Sequence, residues 1–314
     1  MTASRSSSPA APTSPSCFAD TARYLTGRIV QHRRIADHTY RIRIECPEIA
    51  SAAVPGQFAM LRIPDRNDPL LARPLAIYET FAHADDTVGQ GDPACRRYAD
   101  FIYLVHGKFT TALKEIAPGN TLVIWGPLGN GFTAVPPVDH LVLVAGGIGQ
   151  TALLAIGRER LGRSVYGVPA CQPRLARRVT LCWGARHAGM FGDADDFRAA
   201  GIDVHLATLD GSAGHRGTVV DLLEAVVGND AASTHAVCCG PEGMMAAVSK
   251  WTAARGISCH VSLEAPMACG VGICFTCVAR VRDDSRDASG QGWDYRRTCI
   301  EGPVFEASRI VWEA

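Results

Sequence analysis

The sequence predicts an antiparallel β barrel, then an α/β domain built on a parallel sheet, then a short cysteine module. Three observations carry that expectation. Short alternating strands crowd the first third of the chain after a Ser- and Pro-rich start. Strands and helices alternate from about residue 138. Four cysteines, Cys269, Cys274, Cys277 and Cys299, stand near the C-terminus.

The bulk properties leave room for this plan. A chain of 314 residues with 47% hydrophobic content can fill two cores. Lys and Arg balance Asp and Glu at 31 each, so no global charge favours nucleic acid or an anionic membrane. No run approaches the roughly 18–20 apolar residues of a spanning helix. The first 20 residues lack the apolar centre of a signal peptide, and residues 1–22 are expected to form a disordered tail. A cytoplasmic, reducing setting follows, in which 12 cysteines point to metal or redox work more than to disulfides.

Taken in order, the barrel (23–136) begins with a strand at 39–46, where Tyr40, Ile42, Ile44 and Cys46 share one face. Strands at 57–63, 73–79, 101–106 and 121–125 follow, separated by Gly, Pro and Asp. Residues 110–116 read as a short helix ended by Pro118 and Gly119, and 83–97 as a polar surface insertion. The α/β domain (137–261) opens with a buried strand at 140–145, then Gly146-Gly-Ile-Gly149 and a helix to about residue 161. Strands at 179–183, 204–207 and 235–239 alternate with helices at 191–200, 218–227 and 242–255. The cysteine module (262–314) carries a polar loop at 283–292.

The segment Met267-Ala-Cys-Gly-Val-Gly-Ile-Cys-Phe-Thr-Cys277 spaces its cysteines C-x4-C-x2-C, and Cys299 stands 22 residues further on. That is the plant-type [2Fe–2S] ligand pattern. Gly270 and Gly272 let the loop wrap tightly. Zinc usually takes two short C-x2–4-C units, so three ligands in one glycine-rich loop favour the cluster over structural zinc. The other eight cysteines show no ligand spacing.

Two glycine turns follow strands in the α/β domain. Gly146-Gly-Ile-Gly149 presents bare amides at the start of a helix, which suits a phosphate or dinucleotide. Cys239-Gly240-Pro241 forms a second turn at the sheet's carboxyl edge, where ligands bind in open α/β sheets. Read alone, both are also consistent with ordinary turn chemistry. Arg73 inside an apolar strand calls for an anionic partner, either a cofactor pyrophosphate or a carboxylate.

The order of these pieces resembles the electron-transfer subunit of dihydroorotate dehydrogenase B, in the ferredoxin-reductase superfamily. The resemblance covers about residues 24–312. It rests on Arg73-Pro-Leu-Ala-Ile77, Gly126-Pro-Leu-Gly-Asn-Gly-Phe132, Gly146-Gly-Ile-Gly149, Cys239-Gly-Pro-Glu-Gly243 and Ser262-Leu-Glu-Ala-Pro-Met-Ala-Cys269 with the cysteine run. It implies FAD between a ferredoxin-reductase-like barrel and the α/β domain, NAD at the α/β domain, and a [2Fe–2S] cluster near a partner. By position, Arg73 would clamp the FAD pyrophosphate, and Pro74, Leu75 and Ala76 would run along the isoalloxazine. Ile102, Tyr103 and Leu104 would lie on the next flavin strand, and Thr110 would open the helix facing the phosphates. Gly146, Gly147, Gly149, Cys239, Gly240 and Pro241 would border the nicotinamide pocket. The chain departs from the family with Ala76 for Ser or Thr, Leu104 for Arg, Phe109 for Gly, Ala152 for Pro, and a longer gap before Cys299.

The implied function is a relay. NAD exchanges two electrons and the cluster one, so a flavin must link them. Electrons would pass from the FMN of a dihydroorotate dehydrogenase catalytic subunit through the cluster and FAD to NAD+, in a heterotetramer serving pyrimidine biosynthesis. No catalytic acid–base set stands out. The competing readings are a ferredoxin–NAD(P) reductase subunit, an oxygenase-type reductase, and a zinc-stapled binding protein. About 50 residues after Ser262 are too few for the whole ferredoxin domain of an oxygenase reductase. Arg186 and His187 follow the second α/β strand, where a 2′-phosphate reader could sit, and the family resemblance favours NAD over NADP.

Overall fold

The computed structural model describes residues 21–170, 175–227, 231, 233–283 and 292–312. The expected tail lies outside them except for Thr21 and Ala22, as does the interior of the 283–292 loop.

Six strands close the barrel: β1 (Arg23–Ala36), β2 (Thr39–Glu45), β3 (Phe58–Arg62), β4 (Arg73–Phe81), β5 (Tyr98–Leu104) and β6 (Thr121–Leu128), in the order β1-β2-β5-β4-β3-β6. Two short helices, α1 (Pro47–Ala52) and α2 (Lys108–Leu113), accompany them. Alternation fills the interior, where Ile42 and Ile44 of β2 meet Leu61, Phe101 and Ile124, all fully buried. Each such side chain contributes about 1.5–3 kcal/mol by leaving water. Strand β1, the longest in the barrel, has no counterpart in the sequence reading. Four of its residues are Arg, and only Ile29 is a buried large apolar residue, so its pattern has no clear period of two.

The polar face of β2 does not meet water. Arg41 and Arg43 converge on Asp100 at 2.6 Å each, and Arg41 reaches on to Asp193 and Asp196 at 2.7 Å. Those two acids belong to the start of α4 (Ala194–Ala199), after β7 (His140–Gly146), α3 (Leu154–Arg160) and β8 (Arg178–Ala185). A charged strand face thus fastens the barrel to the α/β domain. The 83–97 segment is mostly exposed, as expected, but it sends Arg96 inward to the same junction. Arg96 is 1% exposed and bonds Thr80, Ser164 and the Val165 carbonyl. Nearby, Glu79 accepts from Tyr166 and pairs with Arg158 at 3.2 Å. Two buried guanidiniums need that carboxylate, which explains why Arg96 alone of the polar side chains in this segment turns fully inward.

The second sheet adds β9 (Asp203–Thr208), β10 (His215–Arg216), β11 (Thr234–Cys239) and β12 (Ser258–Ser262), with α5 (Val219–Val227) and α6 (Glu242–Ala253) packed on one face. Its order is β10-β9-β8-β7-β11-β12, extended by a last strand at Val304–Glu306 from the cysteine module. Strand β7 is buried along its whole length, as a central parallel strand must be. The expected single helix after it is two pieces, a tight 3-10 turn at Gly147–Ala152 and then α3. Beyond β12 come the hairpin β13 (Val278–Arg282) and β14 (Trp293–Arg297), and β15 (Val304–Glu306), which pairs antiparallel with β12.

Candidate functional site

The chain order reverses between β7 and β11: β8 and β9 lie to one side of β7, β11 and β12 to the other. Open α/β sheets bind ligands at the carboxyl ends of strands at such a switch point. Both glycine turns stand there. Much of their glycine requirement comes from each other. A Cβ on Gly149 would collide with the Cys239 carbonyl, and one on Gly146 would meet Met244 and Pro241. Gly240 in turn approaches the Gly146 backbone. Gly147 differs: its φ is +53°, and nothing lies within 4 Å of where a Cβ would stand. Its carbonyl is held by the Trp183 indole at 2.8 Å. Of the two turns, Gly147 is therefore the position with free space in front of it.

The 147–152 turn packs on β4 and β5 of the barrel. Alternation sorts the barrel residues around this seam. Ala76 and Ile102 join the apolar cluster shared with the α/β domain, together with Ile148 and Ala152. Leu75 and Tyr103 turn into the barrel core, so only their backbone can face the seam. The Tyr103 hydroxyl lies 2.7 Å from His32 Nε2, and His32 Nδ1 donates to the Ile116 carbonyl at 2.7 Å, which leaves Nε2 to accept from the tyrosine. Pro74 and Leu104 are half-buried.

Arg73 is exposed at the start of β4 rather than enclosed in it. Its guanidinium donates to the Leu71 and Ala72 carbonyls at 3.3 and 3.0 Å, and no carboxylate pairs with it among the described residues. An unpaired cation at the mouth of the seam suits a phosphate. Thr110 is not the residue that opens its helix. α2 begins at Lys108, and the Thr110 hydroxyl bonds back to His106, accepting from its amide at 2.7 Å. Phe109 points into the barrel core at 2% exposure, and nothing lies within 4 Å of where a Cβ on Gly107 would stand, so the front of the turn is open. The barrel and seam thus fit a flavin nucleotide.

The cysteine loop packs beside the seam, on the same outer face of β3 and β4, where Phe58 pairs with Ala76. Phe58, Met60, Ala72 and Leu128 form one apolar cluster with Met267, Cys277 and Cys299. Gly270 (φ +74°) comes so close to Met60 that a Cβ would lie 2.6 Å from its Cγ. The Trp125 indole donates to the Cys269 carbonyl at 3.0 Å. Asn130 knits the barrel exit to β15 through the Val304 carbonyl at 2.8 Å and amide at 3.1 Å. Neither Trp125 nor Asn130 was legible as a site residue, since each acts through backbone far away in sequence.

The four thiols fall into two neighbouring pairs, Cys269 with Cys274 and Cys277 with Cys299. Among the described residues no three His, Cys, Asp or Glu side chains converge to hold a single ion. Two pairs suit two irons better than one tetrahedral zinc. Hydrogen bonding to Thr276, and then to Cys269, brings the Cys274 thiol down to about 6, and the Cys299 bond brings Cys277 down to about 5. Cys299, the proton-holding member of its pair, is pushed up. The two lowered thiols lie nearer the thiolate form, and Cys299 must give up its proton to join them as a ligand. Cys239 behaves oppositely, since burial keeps its thiol protonated.

Residues 264–311 match the family model for the iron–sulfur cluster binding domain of dihydroorotate dehydrogenase B. The chain is 33% identical over 280 residues to the electron transfer subunit of dihydroorotate dehydrogenase B (NAD(+)) from Desulforamulus reducens, covering 89% of this chain and 95% of that one. It is 33% identical over 285 residues to the subunit of the same name from Bacillus caldolyticus, covering 90% and 96%. Among solved structures, a chain of the NADH-dependent reduced ferredoxin-NADP oxidoreductase, studied for flavin-based electron bifurcation, superposes with a TM-score of 0.70 at 24% identity, covering 91% of this chain and 90% of that one. A cytochrome P450 reductase from Amycolatopsis gives 0.59 at 22% identity, covering 76% and 69%. These structural likenesses show a ferredoxin-reductase-like fold. No helix among the described residues is long and apolar enough to cross a membrane.

Proposed function

Because the chain belongs to the family of dihydroorotate dehydrogenase B electron transfer subunits, we propose that it relays electrons from the FMN of a dihydroorotate dehydrogenase catalytic subunit to NAD+. The observation that carries this reading is the contiguity of three stations. The cysteine loop touches Met60, and Met60 pairs across the sheet with Pro74, next to Arg73. Two residues on, Ala76 shares a cluster with Ile148 of the glycine turn.

When bound, the [2Fe–2S] cluster supplies one-electron steps and FAD joins them to the two-electron exchange with NAD+. The chain's own residues position these groups. Cys269, Cys274, Cys277 and Cys299 would hold the cluster through their thiolates. Arg73 neutralises the FAD pyrophosphate. Ala76 and Ile102 give the isoalloxazine an apolar wall, and the Pro74, Leu75, Tyr103 and Leu104 backbone borders it. Thr110 stiffens the turn before α2. Gly147 leaves room for the nicotinamide end of NAD, while Gly146, Gly149, Cys239, Gly240 and Pro241 form the floor on which it rests.

The catalytic subunit docks at the cysteine loop, within a heterotetramer. Ile273 and Phe275 are 78% and 61% exposed on either side of exposed Cys274, and Leu70 and Leu71 are exposed nearby, just before Ala72. Such an apolar rim around a charged centre suits a protein partner. The same reading puts the chain in the cytoplasm, where its thiols stay reduced.

The test is reconstitution with an FMN-containing dihydroorotate dehydrogenase chain. The expected result is a stable complex and dihydroorotate-dependent NAD+ reduction that neither chain performs alone. Absence of a complex, with NAD+ reduced only when a reduced ferredoxin is the donor, would favour a ferredoxin–NAD(P) reductase subunit instead.

A further inference from the structure

We propose that Thr276 sets the reduction potential of the cluster held by the four cysteines, through a hydroxyl hydrogen bond to Cys274 Sγ. The proposal rests on the cluster reading above and adds to it a residue that is not a ligand. Thr276 lies on the ligand loop between Cys274 and Cys277, and its Oγ1 donates to Cys274 Sγ at 3.2 Å. The Val271 amide donates to Cys269 Sγ at 3.4 Å, but any residue except proline would supply that bond. Thr298 spends its hydroxyl on the Cys277 carbonyl at 3.0 Å. The Thr276 backbone also bonds the Cys274 sulfur and would do so in any variant, so the hydroxyl bond is the part that depends on this side chain.

The loop is held so that the bond can persist. Arg297 donates to the Gly272 carbonyl at 3.1 Å, and its guanidinium lies 4.8 Å from the centre of the Phe275 ring. These contacts straddle Cys274. A proton shared with the ligand sulfur draws charge from it, weakens its donation to iron and favours the more negative, reduced state. The potential rises as a result. Thr276 and Cys274 both face solvent in the free chain, so water competes for the sulfur. A partner seated on Ile273 and Phe275 would remove that water, and the bond would act more strongly in a lower dielectric. The effect of Thr276 is thus expected to be larger in the complex than in the free chain.

The experiment is an anaerobic redox titration of the full cluster-loaded chain, followed by the paramagnetic signal of the reduced cluster. Thr276→Val keeps the shape and loses the donor. At the wild-type midpoint its reduced-to-oxidised ratio is expected to fall about tenfold, about 59 mV for a one-electron couple. Thr276→Ser keeps the donor and is expected to stay within about twofold of wild type. A Thr276→Val midpoint equal to wild type would overturn the proposal, as would a Thr276→Ser midpoint displaced as far as the valine variant's. If the valine variant fails to retain its cluster, Thr276→Ala is read by the same criteria. Failure of the cluster reading itself looks different: wild-type protein would then give no paramagnetic signal at all.

Discussion

The Trp125 indole N–H and the Cys269 carbonyl lie 3.0 Å apart, and through them the last barrel strand holds the first cysteine of the quartet. The two residues are 144 positions apart, and this bond helps to place the cysteine loop against the barrel. Trp125 also stacks on exposed Tyr24, with ring centroids 5.8 Å apart.

Trp125→Phe removes the donor and leaves a half-buried carbonyl unsatisfied, at a cost of about 1–3 kcal/mol. The cost falls on the cysteine loop. The expected outcome is a lower temperature for loss of the iron–sulfur visible bands, with flavin absorbance and the melting of the α/β domain unchanged. Parallel visible and circular-dichroism melts would check it.

Gly147 and Gly149 of the first turn are expected to separate by mechanism. Gly149→Ala forces a methyl into the Cys239 carbonyl, which is backbone and cannot swing aside, so stability falls by about 1–3 kcal/mol. Gly147→Ala meets open space and costs only the strain of a positive φ, about 1–2 kcal/mol. Its methyl, however, occupies the room assigned to the nicotinamide. Urea unfolding and NADH titration together would show Gly147→Ala weakening NADH more than its stability loss explains.

Among the described residues Glu79 is the single carboxylate shared by two buried guanidiniums, 3.2 Å from Arg158 and 3.9 Å from Arg96. Glu79→Gln leaves that positive charge uncompensated and is expected to destabilise the protein by about 3–5 kcal/mol. The change lies at the junction of the two domains, so both should unfold at a lower denaturant concentration. A barrel that keeps its wild-type midpoint while the α/β domain shifts would contradict the bolt-like role.

His235 gives the pH dependence. It is fully buried, 2.6 Å from Ser258 Oγ and 3.0 Å from His260. Burial, then the neighbouring His260 and Arg160, lowers its pKa from 6.5 to about 3. Glu306, across the strand pair from His260, is the nearby acid. The folded state therefore binds fewer protons than the unfolded state between about pH 3 and 6.5. Stability contributed by neutral His235 is fully present above pH 6.5 and is lost as pH falls towards 3, at up to about 1.4 kcal/mol per pH unit. His235→Gln is expected to flatten that slope by close to one proton in a pH series of urea midpoints.

Legibility from sequence followed the physical source of each feature. The iron–sulfur binding domain was readable because cysteine spacing marks it locally. The parallel sheet was readable because a buried strand such as β7 is apolar throughout. Strand β1 was not, since its arginines find partners as distant as Asp193 and leave no period to detect. Arg96 read as surface because its partners, Thr80 and Ser164, come together only in the folded chain. The two glycine turns were read as ligand loops, yet Gly146, Gly149 and Gly240 are small largely because the turns touch one another. Phe109 stood out in the sequence only as a departure, and only the fold reveals that its ring belongs to the barrel core.

The most direct test of the account is the content of the thiol quartet in anaerobically purified protein. Iron and acid-labile sulfide in equal amounts, about two of each per chain, with a paramagnetic signal after dithionite, is the predicted result. A colourless protein carrying one zinc and no labile sulfide would contradict it.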